Sequence, residues 1–146
     1  MNLTQVFDIA GSGMSAQSLR LNTTASNMAN ANSAASSADQ TYRARHAVFA
    51  PMMSAAMQDP FGPMNSQQAA VGVRVAGVVE DARPLQARHE PGHPMANEDG
   101  YVYYPNVDIV EEMTNMISSS RSFQLNVEVM SAARTMMQRV MTLGQA

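Results

Sequence analysis

Apolar residues recur at alternating steps of four and three through residues 106–143: Ile109, Met113, Met116, Ser120, Phe123, Val127, Met130, Arg134, Met137 and Met141. Only Ser120 and Arg134 interrupt a series that runs for more than four heptads. This period predicts a helix that packs lengthwise against another helix. Asn106 after Pro105 stands where an N-cap is expected, and Asp108, Glu111 and Glu112 put acids in the first turns, where the helix dipole favours them. Gly144 follows the last apolar residue, as a stop signal should. One helix cannot hide such a seam alone, so the pattern calls for a partner.

The chain offers one at its other end. Leu3, Phe7, Ala10, Met14, Gln17, Leu21, Thr24, Met28 and Ala31 form a second heptad series, with Asn2 as a cap and Gln5 three residues on. This seam is weaker. Gly11 and Gly13 each cost about 1 kcal/mol of helix propensity, and Gln17 and Thr24 are polar. Its Ala, Gly and Ser content permits close approach of another helix. A helix of this kind takes most of its stability from packing and orders when it meets a partner. The two ends match in pattern, so their helices are expected to pair.

Between them the period changes. Residues 22–41 are rich in Asn, Ser and Ala and admit two readings. They are a fraying helix end with a solvated linker, or a polar surface whose amides bond neighbouring molecules. Tyr42 to Phe49 reads as a short strand, and Pro51 to Pro63, with its Met and Pro residues, as an irregular loop. Val71, Val73 and Val75 alternate with Gly72 and Arg74 and lead into Val78 and Val79, which predicts a strand. Pro84 to Asn97, with its prolines and Gly92, reads as loop. Asp99-Gly100 signals a turn, and Tyr101 to Tyr104 a returning strand. The expected fold class is mainly α. Long N- and C-terminal helices pair as a coiled-coil-like bundle, with a small β-rich module between them. The expected division is residues 1–35 for the first helix, 36–105 for linker and module, and 106–146 for the second helix.

Composition narrows the function. A chain of 146 residues makes one domain, or one helical bundle with a small appended module. Nine basic residues against twelve acidic ones leave a net charge of -3, so no basic field points to nucleic acid. With no cysteine there is no disulfide, thiol nucleophile or thiolate metal site. The N-terminus has neither a basic n-region nor a continuous apolar h-region, so no cleavable signal peptide is expected. No run of about 18 apolar residues suggests a transmembrane helix.

Candidate chemistry is confined to His89-Glu90-Pro91-Gly92-His93, which satisfies the H-E-x-x-H pattern of zinc metalloproteases. That chemistry needs both imidazoles on one helical face beside a metal-bound water. Pro91 and Gly92 inside the motif, and Pro94 after it, work against a helix. A structural turn is the expected reading. A zinc hydrolase using His89 and His93, or a loop metal site, is the alternative. No phosphate-binding loop, nucleophile elbow or acid/base carboxylate pair is present. Neither an enzyme, a cofactor, a metal nor a small-molecule substrate is expected. The Met residues of the C-terminal helix serve as core, as a groove for partner helices, or as both if the core is intermolecular. A cytoplasmic coiled-coil adaptor is a further alternative.

Several strings carry a resemblance. Ser12-Gly13-Met14-Ser15-Ala16-Gln17, followed by Ala25-Ser26-Asn27-Met28-Ala29-Asn30-Ala31-Asn32, is similar to the N-terminal signature of bacterial flagellar rod and hook proteins. Tyr42 to Phe49 resembles the strand that follows it. Pro91-Gly92-His93-Pro94, Asp99-Gly100-Tyr101-Val102, Tyr104-Pro105-Asn106-Val107-Asp108 and the run Glu112-Met113, Met116-Ile117, Ser120-Arg121, Phe123-Gln124 are more selective. They resemble the proximal rod members of that family. The likeness covers nearly the whole chain. Ser33 to Asp39 is richer in Ser and Ala than the family pattern, and Phe123 stands where Tyr is common.

The resemblance implies a structural subunit of the basal-body rod in the periplasm. Such a subunit leaves the cytoplasm unfolded through the flagellar type III export apparatus, without a cleaved signal. It self-assembles helically through its terminal helices and transmits torque. Its implied partners are other proximal rod proteins, the distal rod protein and the export adaptor at the rod base. Taken with the two stripes, the expected subunit-contact residues are Leu3, Phe7, Met14, Leu21, Asn27, Asn30, Ile109, Met113, Met116, Phe123, Val127, Met130 and Met137.

Overall fold

The computed structural model describes residues 3–52 and 72–143. Its elements run α1 (Leu3–Asn30), β1 (Arg45–Met52), β2 (Gly72–Glu80), β3 (Gln86–His89), β4 (Tyr101–Tyr104) and α2 (Ile109–Leu143). Two long helices therefore flank a module of two two-stranded sheets, β1 with β2 and β3 with β4. The cap at Asn2 and the stop at Gly144 lie outside the described residues; of the loop read from Pro51 to Pro63, Pro51 and Met52 belong to β1 and the rest lies outside the described residues.

The chain forms two compact units, and their boundary falls inside α1, β1, β2 and α2. The first comprises Met1–Leu19, Val48–Gly77 and Ser119–Ala146. Here α1 and α2 approach through small residues. Ala10, Ala16, Ser119 and Ala133 are buried. A Cβ placed on Gly13 would lie 3.0 Å from Asn126 Nδ2, and one on Gly11 would lie 4.0 Å from Met130 Cε. The start of β2 is pinned to α1 by Ser12, whose Oγ donates to the Ile9 carbonyl and accepts the Val73 N–H at 3.1 Å. Gly72 makes this approach possible: its φ of +148° is disfavoured for L side chains, and a Cβ there would meet Ser12 Oγ at 2.5 Å.

The second unit comprises Arg20–Ala47 and Val78–Ser118. Ala31, Ala44 and Val107 form its apolar centre with Tyr42 packed alongside, and Val102 is fully buried on β4. β3 and β4 are antiparallel, with Gln86 opposite Tyr104 and His89 opposite Tyr101. The stretch read as loop from Pro84 to Asn97 thus contains a strand. All four β3 residues are exposed, so no apolar alternation marks it, and the main-chain ladder to β4 holds it. The other edge of β4 is bridged by Ala35, which exchanges N–H and carbonyl with Tyr103 at 3.0 and 2.9 Å. Asn97 builds the turn before β4: its Oδ1 accepts the N–H groups of Asp99 and Tyr101, and Gly100 closes it with φ +79°. The start of β1 lies beside the end of β2, where the Asp81 N–H donates to the Ala44 carbonyl at 2.8 Å.

The cap of α2 is Asp108, not Asn106. Asp108 Oδ1 accepts the N–H groups of Val110 and Glu111 at 2.9 and 3.3 Å. Asn106 is buried three loops deep: it accepts the Ala44 N–H at 2.9 Å and donates to the carbonyls of Asp81 and Arg83. Its amide satisfies main-chain groups that the short strands leave unpaired, a task only the tertiary fold creates.

Candidate subunit-interaction surface

α2 turns polar and small side chains inward and large apolar ones outward. In the second unit Glu112 is 3% exposed, and Asn115 and Met116 are half-buried. Ile109, Val110, Met113 and Ile117 are exposed, at 43, 72, 50 and 67%. Their spacing sets them along one stripe of the helix. In the first unit Ser119 and Ala133 are buried, and Ser122, Phe123, Asn126 and Met130 half-buried. Leu125, Val127 and Val129 face out, and every residue from Arg134 to Leu143 is exposed, including Met136, Met137, Val140, Met141 and Leu143.

The heptad seam read from sequence therefore divides between two surroundings. Met116, Phe123 and Met130 are half-buried, whereas Ile109, Met113, Val127 and Met137 are exposed. The contacts with α1 lie one residue aside: Glu112 and Asn115 bond Asn27 and Arg20, and Asn126 sits against Gly13. The approach is tightest at Gly13, where an added Cβ would meet Asn126 Nδ2 at 3.0 Å, so α1 needs a residue without a side chain there. On α1, Leu3, Phe7, Met14, Leu21 and Asn30 are half-buried.

Asn27 is fully buried and uses all its bonding capacity inside the second unit. Its Oδ1 accepts the Tyr42 hydroxyl and the Arg45 N–H, each at 2.9 Å. Its Nδ2 donates to the Arg45 carbonyl at 2.8 Å and to Glu112 Oε1 at 2.9 Å. One amide thus ties α1 to the start of β1 and to the first turns of α2. Arg20 adds a second tie, donating to Asn115 Oδ1 at 3.0 Å. Glu112 Oε2 is buried without a hydrogen-bond partner, as is Gln17 Oε1 in the first unit. The interior of this helix contact is polar and imperfectly paired, the opposite of an ordinary bundle core.

Around Asp81 the charges are organised. Arg83 donates its N–H and its Nε to the Asp81 carboxylate at 2.8 and 2.6 Å, and His46 Nε2 lies 3.5 Å away. These bonds, the Arg83 backbone N–H foremost, hold the Asp81 carboxyl below the usual range. Arg83 is raised in turn, chiefly by Asp81, and reaches Glu111 at 3.4 Å.

The H-E-x-x-H string has no helical geometry. His89 ends β3 and meets Tyr101 edge-on at 5.1 Å between ring centroids. Glu90 Oε2 accepts the Tyr104 hydroxyl at 3.2 Å, and His93 Nδ1 accepts the Met95 N–H at 3.1 Å. Desolvation first, and then this bond to Glu90, raise the Tyr104 phenol. Each member of the string serves the fold of its own turn.

Sequence reasoning passed over Val110, Ile117, Leu125, Val129, Met136, Val140 and Leu143, all exposed. Their signal was present: they are the apolar residues of α2 that the seam does not use.

Comparison with known proteins agrees with this geometry. Residues 7–38 match the family model for flagella basal body rod proteins, and residues 98–143 match that for the C-terminal region of flagellar basal body rod FlgEFG proteins. The curated protein named flagellar basal-body rod protein FlgC from Salmonella typhimurium is 47% identical over 99% of this chain and 100% of its own length. That of Yersinia enterocolitica is 47% identical over the same shares. That of Borreliella burgdorferi is 32% identical over 99% of both chains. The matches embrace both helices and the module between them. The chain belongs to the FlgC family of flagellar basal-body rod proteins, structural subunits of the rod and not enzymes.

Proposed function

We propose that this rod subunit joins its neighbours through the outward apolar face of α2, while α1 and α2 pair as a coiled-coil-like bundle that forms the tube wall. The observation that carries this reading is the inverted distribution of side chains. Among the described residues the buried apolar set is six alanines and two valines, whereas twelve large apolar residues of α2 are exposed. Exposed apolar surface on this scale marks an interaction face. Ile109, Met113, Val127 and Met137, with the half-buried Met116, Phe123 and Met130, are its subunit-contact residues on α2. Leu3, Phe7, Met14, Leu21 and Asn30 are the candidates on α1, and Asn27 acts indirectly by fixing the pair.

On this reading residues 1–35 and 106–146 form the axial core and 36–105 the module it carries. A head-to-tail joint of this kind does not close on itself and propagates along the axis, which suits a part that carries torque across the periplasm. The partners are other copies, the neighbouring proximal and distal rod proteins and the adaptor at the rod base. The scant core of α1, with Gly11 and Gly13, suits passage through the flagellar type III export apparatus as an unfolded chain.

The test is Val127→Asp, at a position 44% exposed within the chain. The variant is expected to be exported yet missing from acid-washed hook–basal bodies, and its cells non-motile. Normal swimming, with the variant recovered in rods, refutes the assignment of this face.

A further inference from the structure

Four of the exposed apolar side chains on α2 are thioethers: Met113, Met136, Met137 and Met141, at 50, 59, 37 and 62% exposure. The chain holds 14 methionines and no cysteine, so thioethers are its principal peroxide-reactive groups. Met116 and Met130, on the same helix, are half-buried. Met95 is 41% exposed but sits in the turn between β3 and β4, outside both helices.

We propose that these four methionines make the uncovered surface of α2 oxidation-sensitive for assembly: peroxide modifies them in the free chain, which bars that chain from the rod, and assembly then shields them. The inference rests on the reading that this face is a subunit interface. In the step itself the thioether sulfur attacks one oxygen of hydrogen peroxide and the O–O bond breaks. A sulfoxide S=O forms, the sulfur is oxidised by two electrons, and the peroxide is reduced to water. The product is nearly as large as methionine but polar. A sulfoxide oxygen carried into an apolar contact has no donor there and keeps its full desolvation penalty. Methionine sulfoxide reductases reverse the change, so exclusion lasts only while the chain remains oxidised.

Two measurements test this. Peptide mass spectrometry first compares the purified chain with intact hook–basal bodies after the same peroxide dose. Each of the four methionines is expected to oxidise at least about tenfold more slowly in basal bodies. Equal rates in both overturn the shielding. Second, cells accumulate the chain, receive a short peroxide pulse and are then released to build rods. The sulfoxide fraction at the four positions is expected to be depleted about tenfold in the rod pool relative to the whole-cell pool, and the Met95 sulfoxide equal in both. Equal fractions at all five positions overturn the proposal. If Val127→Asp is excluded from rods while the oxidised chain enters freely, this inference alone fails. If Val127→Asp also enters freely, the interface reading fails first.

Discussion

Asn27→Asp replaces an NH2 group that donates twice by a carboxylate oxygen that only accepts, at the most connected buried amide among the described residues. Asn27 Nδ2 faces Glu112 Oε1 at 2.9 Å and the Arg45 carbonyl at 2.8 Å. In the variant a carboxylate oxygen faces both acceptors, and two carboxylates share a site where Asn27 is 0% and Glu112 3% exposed. The losses are one hydrogen bond to a charged group, about 1.5–3 kcal/mol, and one neutral bond of about 1 kcal/mol. A further few kcal/mol comes from charge repulsion or from protonating one acid to relieve it. A total of about 4–6 kcal/mol takes most of the stability of a domain whose whole margin is about 5–15 kcal/mol.

The structure also specifies the remedy. Glu112→Gln puts an amide opposite the new carboxylate, so Asn27→Asp with Glu112→Gln exchanges donor and acceptor across the same gap. The double variant should recover about 2 kcal/mol or more of the loss, measured as non-additivity in urea unfolding followed by circular dichroism. Asn27→Asp with native stability, or strictly additive losses in the double variant, would show that this contact does not join α1 to α2.

Two further outcomes follow from local geometry. Gly11→Ala should raise stability by about 0.5–1 kcal/mol, because the helix gains propensity while, among the described residues, the added Cβ meets only Met130 Cε at 4.0 Å; a lower melting midpoint than the native chain would refute this. Asp81→Asn should flatten the acid limb of the stability curve, because the folded-state pKa of Asp81 is depressed. The stability Asp81 supplies is present above its unfolded value, about pH 4, and is lost as pH falls through the lower folded value. Unfolding midpoints of variant and native chain recorded across that window should converge at the acid end, and parallel curves would exclude the role.

Both helices were legible because the four-three period survives whichever face is buried. The face itself was not legible. A seam reading assumes that apolar residues point to the nearest helix, and here the residues that meet α1 include Glu112, bonded to Asn27, and Asn126, set against Gly13. β3 escaped because Gln86, Ala87, Arg88 and His89 carry no alternation, so only pairing with β4 makes them a strand. Asn106 and Asp108 are equally good caps on paper, and the choice between them is made by Ala44, Asp81 and Arg83, distant in sequence. The His89-Glu90-Pro91-Gly92-His93 string was correctly weighed by its own Pro and Gly, whose effect on a helix is local.

The inverted face explains why a polar, partly unsatisfied interior persists in this helix pair. An apolar interior of the same size would be more stable, since a buried acid with one unpaired oxygen, as at Glu112, carries an uncompensated desolvation cost. But α1 and α2 both present apolar residues at heptad spacing, and helices so patterned can pair in several registers and on several faces. In an apolar pair the residues Ile109, Met113 and Val127 would turn inward and be lost to a neighbour. Asn27 removes that freedom: only one register gives its four bonds their partners, and that register leaves Ile117, at 67% exposed, on the outside. Stability forgone within the chain is then regained on assembly, because covering each large apolar side chain contributes about 1.5–3 kcal/mol. On this reading the subunit is weakly held alone and firmly held in place, which suits the proposed export as an unfolded chain followed by assembly into the rod.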